Sequence, residues 1–139
     1  MSKHFEYGAE NRWHDQYFEK GVTLPDSSGV VCANALAVGQ HHGALVVTLV
    51  ADGAVSIPAA KKLTVTVQGS GTENGVFDDV ASAPEMSVSG GADAAAVFAD
   101  GEVIGKLVLP DMADYARIKL TTDGAATGKV DVFLNYPAR

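Results

Sequence analysis

"RIKLTTDGAATGKVDVFLNYPAR", residues 117–139, decides how this chain is read. Arg117, Lys119, Lys129 and Asp131 alternate with Ile118, Leu120, Val130 and Val132. A period of two is the mark of a strand with one buried and one wet face. "TDGAATG" separates the two runs, and its Asp-Gly pair supplies the positive φ that turns require. The stretch therefore predicts two strands around a Gly-rich turn, a terminal hairpin. It presents no nucleophile, base or metal ligand in a recognisable array.

The same signals recur upstream. "KLTVTVQ" (62–68) sets Leu63, Val65 and Val67 against Thr64, Thr66 and Gln68. "ALVVTLVA" (44–51) and "VIGKLVL" (103–109) are nearly continuous apolar runs, as expected of strands covered on both faces. "VCANALAV" (31–38), "VFDDV" (76–80) and "EMSVS" (85–89) are weaker candidates, and "DAAAVFA" (93–99) fits either a strand or one helical turn. Turn signals stand at Asp52-Gly53, Asn74-Gly75, Gly90-Gly91, Asp100-Gly101 and Asp123-Gly124. Seven or eight short strands so punctuated predict an all-β chain: an antiparallel β-sandwich, jelly roll or barrel.

The chain has 139 residues, enough for one domain with a real core. A net charge of −7 with scattered Lys and Arg argues against binding nucleic acid, which needs clustered cations. The single cysteine, Cys32, excludes an intramolecular disulfide, and its apolar setting predicts a small buried hydrophobe. "MSKHFEYGAENRWHDQYFEK" has no apolar signal region, and no stretch reaches the length of a membrane span. Folding in a cytoplasm, with no membrane partner, is the expectation.

Composition shifts near residue 25. Five of the ten aromatics fall within the first 20 residues: Phe5, Tyr7, Trp13, Tyr17 and Phe18. We read 1–28 as an N-terminal arm, extended or partly helical, and 29–139 as the β-sandwich body. Trp13, Gln16, Tyr17 and Lys20 have helical spacing, with Gly21 as a candidate C-cap. So short an apolar face needs a surface to lie on, either its own domain or a partner subunit. Trp, Tyr and Phe are the types enriched at interface hot spots.

The constellations that could carry chemistry are thin. His41-His42 are adjacent, and neighbours in a strand point to opposite faces. Asp78-Asp79, near Glu73 and Asn74, offer oxygen ligands without the register of a calcium loop. Asp111 and Asp114 flank an exposed corner, and no serine has a nucleophile-elbow context. No enzyme class and no cofactor are indicated. Phe133, by alternation, faces outward with Lys129 and Asp131, as either a second-core contact or a subunit contact; polar neighbours tilt this towards an interface.

"GEVIGKLVLPDMADYARIKLTTDGAATGKVDVFLNY" carries a family resemblance. An apolar strand ends in Leu109-Pro110; Tyr115, Arg117, Ile118 and Leu120 follow a short corner; then Gly128, Lys129, Val130, Asp131, Phe133 and Leu134 close the pattern. It resembles the jelly-roll cement, or capsid-stabilising, proteins of tailed bacteriophages. The resemblance is strongest from about residue 101, and the aromatic arm has no counterpart in it. It implies a non-enzymatic virion structural protein, made in the host cytoplasm and seated on the capsid exterior. Its partners would be the major capsid protein and itself, as a homodimer or homotrimer. The expected contact residues are Phe5, Tyr7, Trp13, Tyr17, Phe18, Phe133 and Tyr136. The alternative is a carbohydrate- or receptor-binding β-sandwich of a phage tail or baseplate, which would need an exposed aromatic platform in the body. A small-barrel enzyme would need convergent His and carboxylates, and all four histidines precede residue 43.

Overall fold

The computed structural model describes residues 17–38, 45–80, 86–109 and 114–135. The described residues contain strands and no helix, and so no helix long and apolar enough to cross a membrane. The strands are β1 (Tyr17–Thr23), β2 (Gly29–Val31), β3 (Leu36–Ala37), β4 (Val46–Ile57), β5 (Lys62–Ser70), β6 (Asp78–Asp79), β7 (Met86–Ser89), β8 (Ala96–Phe98), β9 (Val103–Val108), β10 (Tyr115–Thr122) and β11 (Thr127–Asn135). Every pairing is antiparallel, in two sheets. The five-stranded sheet runs β1-β11-β4, with β8 and β9 both on the far edge of β4. The six-stranded sheet sets β2 and β3 on one edge of β10, then β5, then β6 and β7. The chain is an all-β, two-sheet sandwich.

Alternation explains which faces meet. In β10, Ala116, Ile118 and Leu120 are buried while Tyr115, Arg117 and Lys119 are half-buried. Leu120 lies opposite Val65 and Ile118 opposite Val67, so two strands present one continuous apolar face. Across the core, Val132 pairs with Leu49, Leu134 with Val47 and Val130 with Ala51. These side chains, with Phe18, Val22, Val55, Ile57 and Leu63, form the main core. Burial of each of the Val, Leu, Ile and Phe side chains is worth roughly 1.5–3 kcal/mol.

The expected terminal hairpin does not form. β10 and β11 belong to different sheets, each with neighbours on both sides, and the chain crosses the sandwich between them. Alternation could not reveal this, because a strand with one buried face looks the same whether its successor pairs beside it or faces it across a core. The crossing at 123–126 is bonded to the earlier crossing from β1 to β2. Ser27 N donates to the Gly124 carbonyl (3.3 Å), and Asp26 bridges Ala125. Thr122, buried, donates its hydroxyl to the Pro25 carbonyl at 2.7 Å and lies 3.0 Å from that of Gly124. Asp123 accepts from Lys62 N at 2.7 Å. Gly128, at φ +107, opens β11 where a Cβ would stand 2.4 Å from the Ala54 carbonyl oxygen.

Three short strand pairs are single ribbons with an interruption. β8 and β9 follow one edge of β4 in one direction, parted by a turn in which Glu102 N donates to the Ala99 carbonyl. The Asp100-Gly101 signal is therefore a real local turn, but it does not reverse the chain. Asp52-Gly53, expected to end a strand, lies inside β4. Gly53 (φ +86) bends it, and its N–H donates to Asp100 Oδ1 at 2.8 Å. β2 and β3 likewise share an edge of β10, and β6 and β7 an edge of β5.

The arm boundary at residue 28 also moves. β1 is an integral strand of the five-stranded sheet, with Phe18, Val22 and Leu24 buried, so 17–28 belong to the body. Residues 1–16 lie outside the described residues. Register shifts at Tyr17/Glu19 and Glu19/Val22 scramble the period of two, so β1 was not legible as a strand. Gly21 is no helix cap. Its φ of +72 belongs to this irregular edge, where its N–H donates to Asp131 Oδ1 at 2.8 Å.

Replacing Thr122 with Val keeps the shape and leaves the Pro25 carbonyl without that donor. Urea unfolding is expected to show a loss of roughly 1–3 kcal/mol, against little change for Thr121→Val on the half-exposed face. Equal effects would remove the crossing from its structural role.

Candidate binding cleft

The sandwich has two outer faces of different character. On the six-stranded sheet the outward residues of β5 and β10 are mostly polar, Thr64, Thr66, Gln68, Arg117, Lys119 and Thr121, with Val31 of β2 exposed beside Lys119. On the five-stranded sheet, Tyr17, Val50 and Phe133 form a small second cluster outside the main core. The Tyr17 and Phe133 rings lie 5.5 Å apart and tilted. Thr48, opposite Phe133, is fully buried and its Oγ1 has no hydrogen-bond partner among the described residues. Further along this face Val97, Val103 and Val108 are exposed on the β8–β9 ribbon, opposite Ser56, Val50 and Val46.

These placements bear on the expected contact residues. Phe133 does leave the main core as alternation required, but it is fully buried against Tyr17 and Val50. Phe18 lies in the main core. Packing within the chain accounts for Tyr17, Phe18 and Phe133 without a partner, and none of them is an exposed contact. Phe5, Tyr7, Trp13 and Tyr136 lie outside the described residues, as do His41, His42 and Asp111. Among the described residues no group of three His, Cys, Asp or Glu could hold a metal ion. Asp78 and Asp79 lie exposed in β6, and Asp114 is exposed before β10.

The polar outer face holds a feature not foreseen as a unit. Arg117 of β10 lies in register with Gln68 of β5, and Gln68 with Asp79 of β6. Across these three neighbouring strands Gln68 Nε2 donates to Asp79 Oδ1 at 3.0 Å, while Arg117 Nε and Nη2 donate to Gln68 Oε1 at 3.2 and 3.0 Å. Only one amide orientation serves both neighbours, since a carboxylate accepts and a guanidinium donates. The Arg117 guanidinium also lies over the Phe77 ring, 4.4 Å from its centroid, a cation–π contact.

Around Arg117 is an open cleft of about 430 Å³, lined among others by Asn34, Glu73, Asn74 and Phe77. Two loops shape it. One is the turn after β5, where Gly75 N donates to the Thr72 carbonyl and Thr72 N to Ser70 Oγ. A Cβ on Gly75 would meet the Thr72 and Ser70 hydroxyls, so a larger residue there would have to displace them from the turn. The other is the break between β2 and β3, suspended from β1 of the opposite sheet: Ala33 N donates to Glu19 Oε1 (2.7 Å) and Asn34 N to the Phe18 carbonyl (2.9 Å). Phe77 and Arg117 were visible in sequence separately. The signal that could have joined them was Gln68, the largest side chain on an otherwise threonine face.

Cys32 sits beneath this second loop, buried, as the sequence suggested. Burial pushes its thiol from 9.0 up to about 12, and the Glu19 charge adds to the shift. No protein-family model matches the chain, and no curated protein matches it in sequence.

The raised thiol has a definite sign. Unfolded chain ionises first, so stability is lost as pH rises past about 9, at about 1.4 kcal/mol per pH unit, until the folded thiol ionises. Between about pH 8 and about pH 10 the natural chain is expected to lose about 1.4 kcal/mol more than Cys32→Ala, read from urea midpoints. Parallel losses in the two proteins would contradict it.

Proposed function

We propose that the sandwich is a jelly roll and that the protein is a non-enzymatic structural component of a virion, seated on the outside of an icosahedral capsid. The strand order supports the first part. Counting each interrupted pair as one ribbon, the chain-order positions are first, eighth, third and sixth in one sheet and second, seventh, fourth and fifth in the other. That is the order obtained by folding two Greek keys into facing sheets, an architecture common in viral capsid and lectin domains. The 101–136 resemblance to phage cement proteins supports the second part.

The observation that carries docking is the set of exposed valines on the outer face of the five-stranded sheet, where Lys106 and Lys129 are exposed charges among them. Val97, Val103 and Val108 are exposed on one ribbon, with Val108 at 53% and Val97 at 68%. The opposite outer face is mostly threonine, Gln68, Arg117 and Lys119, with Val31 exposed at its edge. A block whose exposed valines gather on one outer face can lie on a shell with that face and keep its other side in solvent. The sheet edges are poor partners: β1 is bulged, and β2 and β3 are short and interrupted. Contact through a face therefore fits better than strand addition. The major capsid protein and a second or third copy of this chain are the proposed partners, and residues 1–16, with Phe5, Tyr7 and Trp13, the proposed clamp. Stabilisation would come from many weak contacts repeated over the shell.

Co-sedimentation with shells of the major capsid protein encoded by the same genome tests this. Saturable pelleting at a fixed ratio is expected, weakened at least about tenfold by a Val103→Asp, Val108→Asp double change and left intact by Thr66→Asp on the opposite face. Deletion of residues 2–16 is expected to weaken it too. No pelleting, or equal loss from both faces, would overturn the reading.

A further inference from the structure

The Arg117 cleft has the make-up of a site with something missing from it. Arg117 is half-buried, and no carboxylate among the described residues pairs with it. Its partners are a neutral amide oxygen and an aromatic ring. Gln68 takes two of the five guanidinium N–H groups on one oxygen, and the other three have no hydrogen-bond partner among the described residues. Phe77 occupies one face of the planar group, and Gln68, itself held by Asp79, fixes its rotation. A guanidinium fixed in this way has little entropy left to lose, and its fork matches a carboxylate in the plane of the group.

The rest of the cleft narrows the ligand. Asn74 and Glu73 make no side-chain hydrogen bond to any described residue, and Asn34 gives one amide N–H to the Tyr17 carbonyl, leaving its other N–H and its side-chain oxygen. These are donors and acceptors suited to hydroxyls. Phe77 is only half-buried and adds apolar surface beside them. A phosphate dianion would meet Glu73 with Asp78 and Asp79 close by, and a chain of net charge −7, so one negative charge fits better than two. A bare carboxylate would use Arg117 and leave Asn34, Glu73 and Asn74 idle.

We propose that this cleft binds a carboxylate-bearing sugar, the uronic-acid unit of an acidic polysaccharide. The carboxylate meets the free donors of Arg117, and the ring hydroxyls meet Asn34, Glu73 and Asn74. The cleft lies on the polar face, opposite the one proposed to dock, so it would stay open to solvent on a shell. Its binding does not depend on the capsid reading.

The test is titration of the full, isotope-labelled chain with glucuronate, glucose and acetate, followed by amide and Arg Nε resonances. Saturable shifts at Asn34, Asn74, Gly75 and Arg117 are expected with glucuronate, at an affinity at least about tenfold tighter than for glucose or acetate. Arg117→Lys is expected to weaken glucuronate at least about tenfold. Because Arg117 also braces Gln68, Asn74→Ala is the second variant; its side chain makes no hydrogen bond to any described residue, and several-fold weakening is expected with the remaining spectrum unmoved. No saturable shift, an equal response to acetate or to glucose, or unchanged affinity in both variants would overturn the proposal. No shell is present, so failure here leaves the capsid reading standing, and failure to pellet leaves this one standing.

Discussion

The structure turns on the crossing between β10 and β11. Two central strands, one per sheet, are joined by four residues over the end of the sandwich, so the sheets are tied face to face by a short connection. That route is fixed by polar bonds in a buried corner. The Thr122 hydroxyl and the Gly124 carbonyl hold the Pro25–Ser27 segment, where β1 passes over to β2. Two crossings stitched together set the separation and register of both sheets. Each later feature inherits that geometry: which faces become core, which become surface, and where the loops gather.

Much of this was legible in sequence and some was not, for physical reasons. β5, β10 and β11 announced themselves because period two reports a half-buried strand. Their partners stayed hidden, because the same pattern suits a hairpin and a crossing. β4 looked shorter than it is, since a glycine with positive φ can bend a strand as well as end it. β1 was invisible because its bulges break the alternation, and its aromatics then read as an arm. Phe133 was assigned to the outer face correctly, but alternation says nothing of what covers that face. The Arg117 cleft drew on the β2–β3 break, on β5 to β6 with the turn between them, and on β10, three stretches far apart in sequence.

The two outer faces give the molecule its proposed division of labour. One carries exposed valines at the edge of a buried aromatic cluster; the other carries threonines, an amide ladder and a guanidinium held open. Both follow from single alternating strands, whose outward residues are free to differ because the inward ones already satisfy the core. A rigid sandwich of this kind can hold a shell with one side and present the other to solvent.

Hydrogen exchange of the protein bound to capsid shells tests the two-faced account most directly. On binding, added protection is expected along Ala96–Val108, with none at Glu73–Phe77. Protection at the cleft with none along β8 and β9 would contradict it.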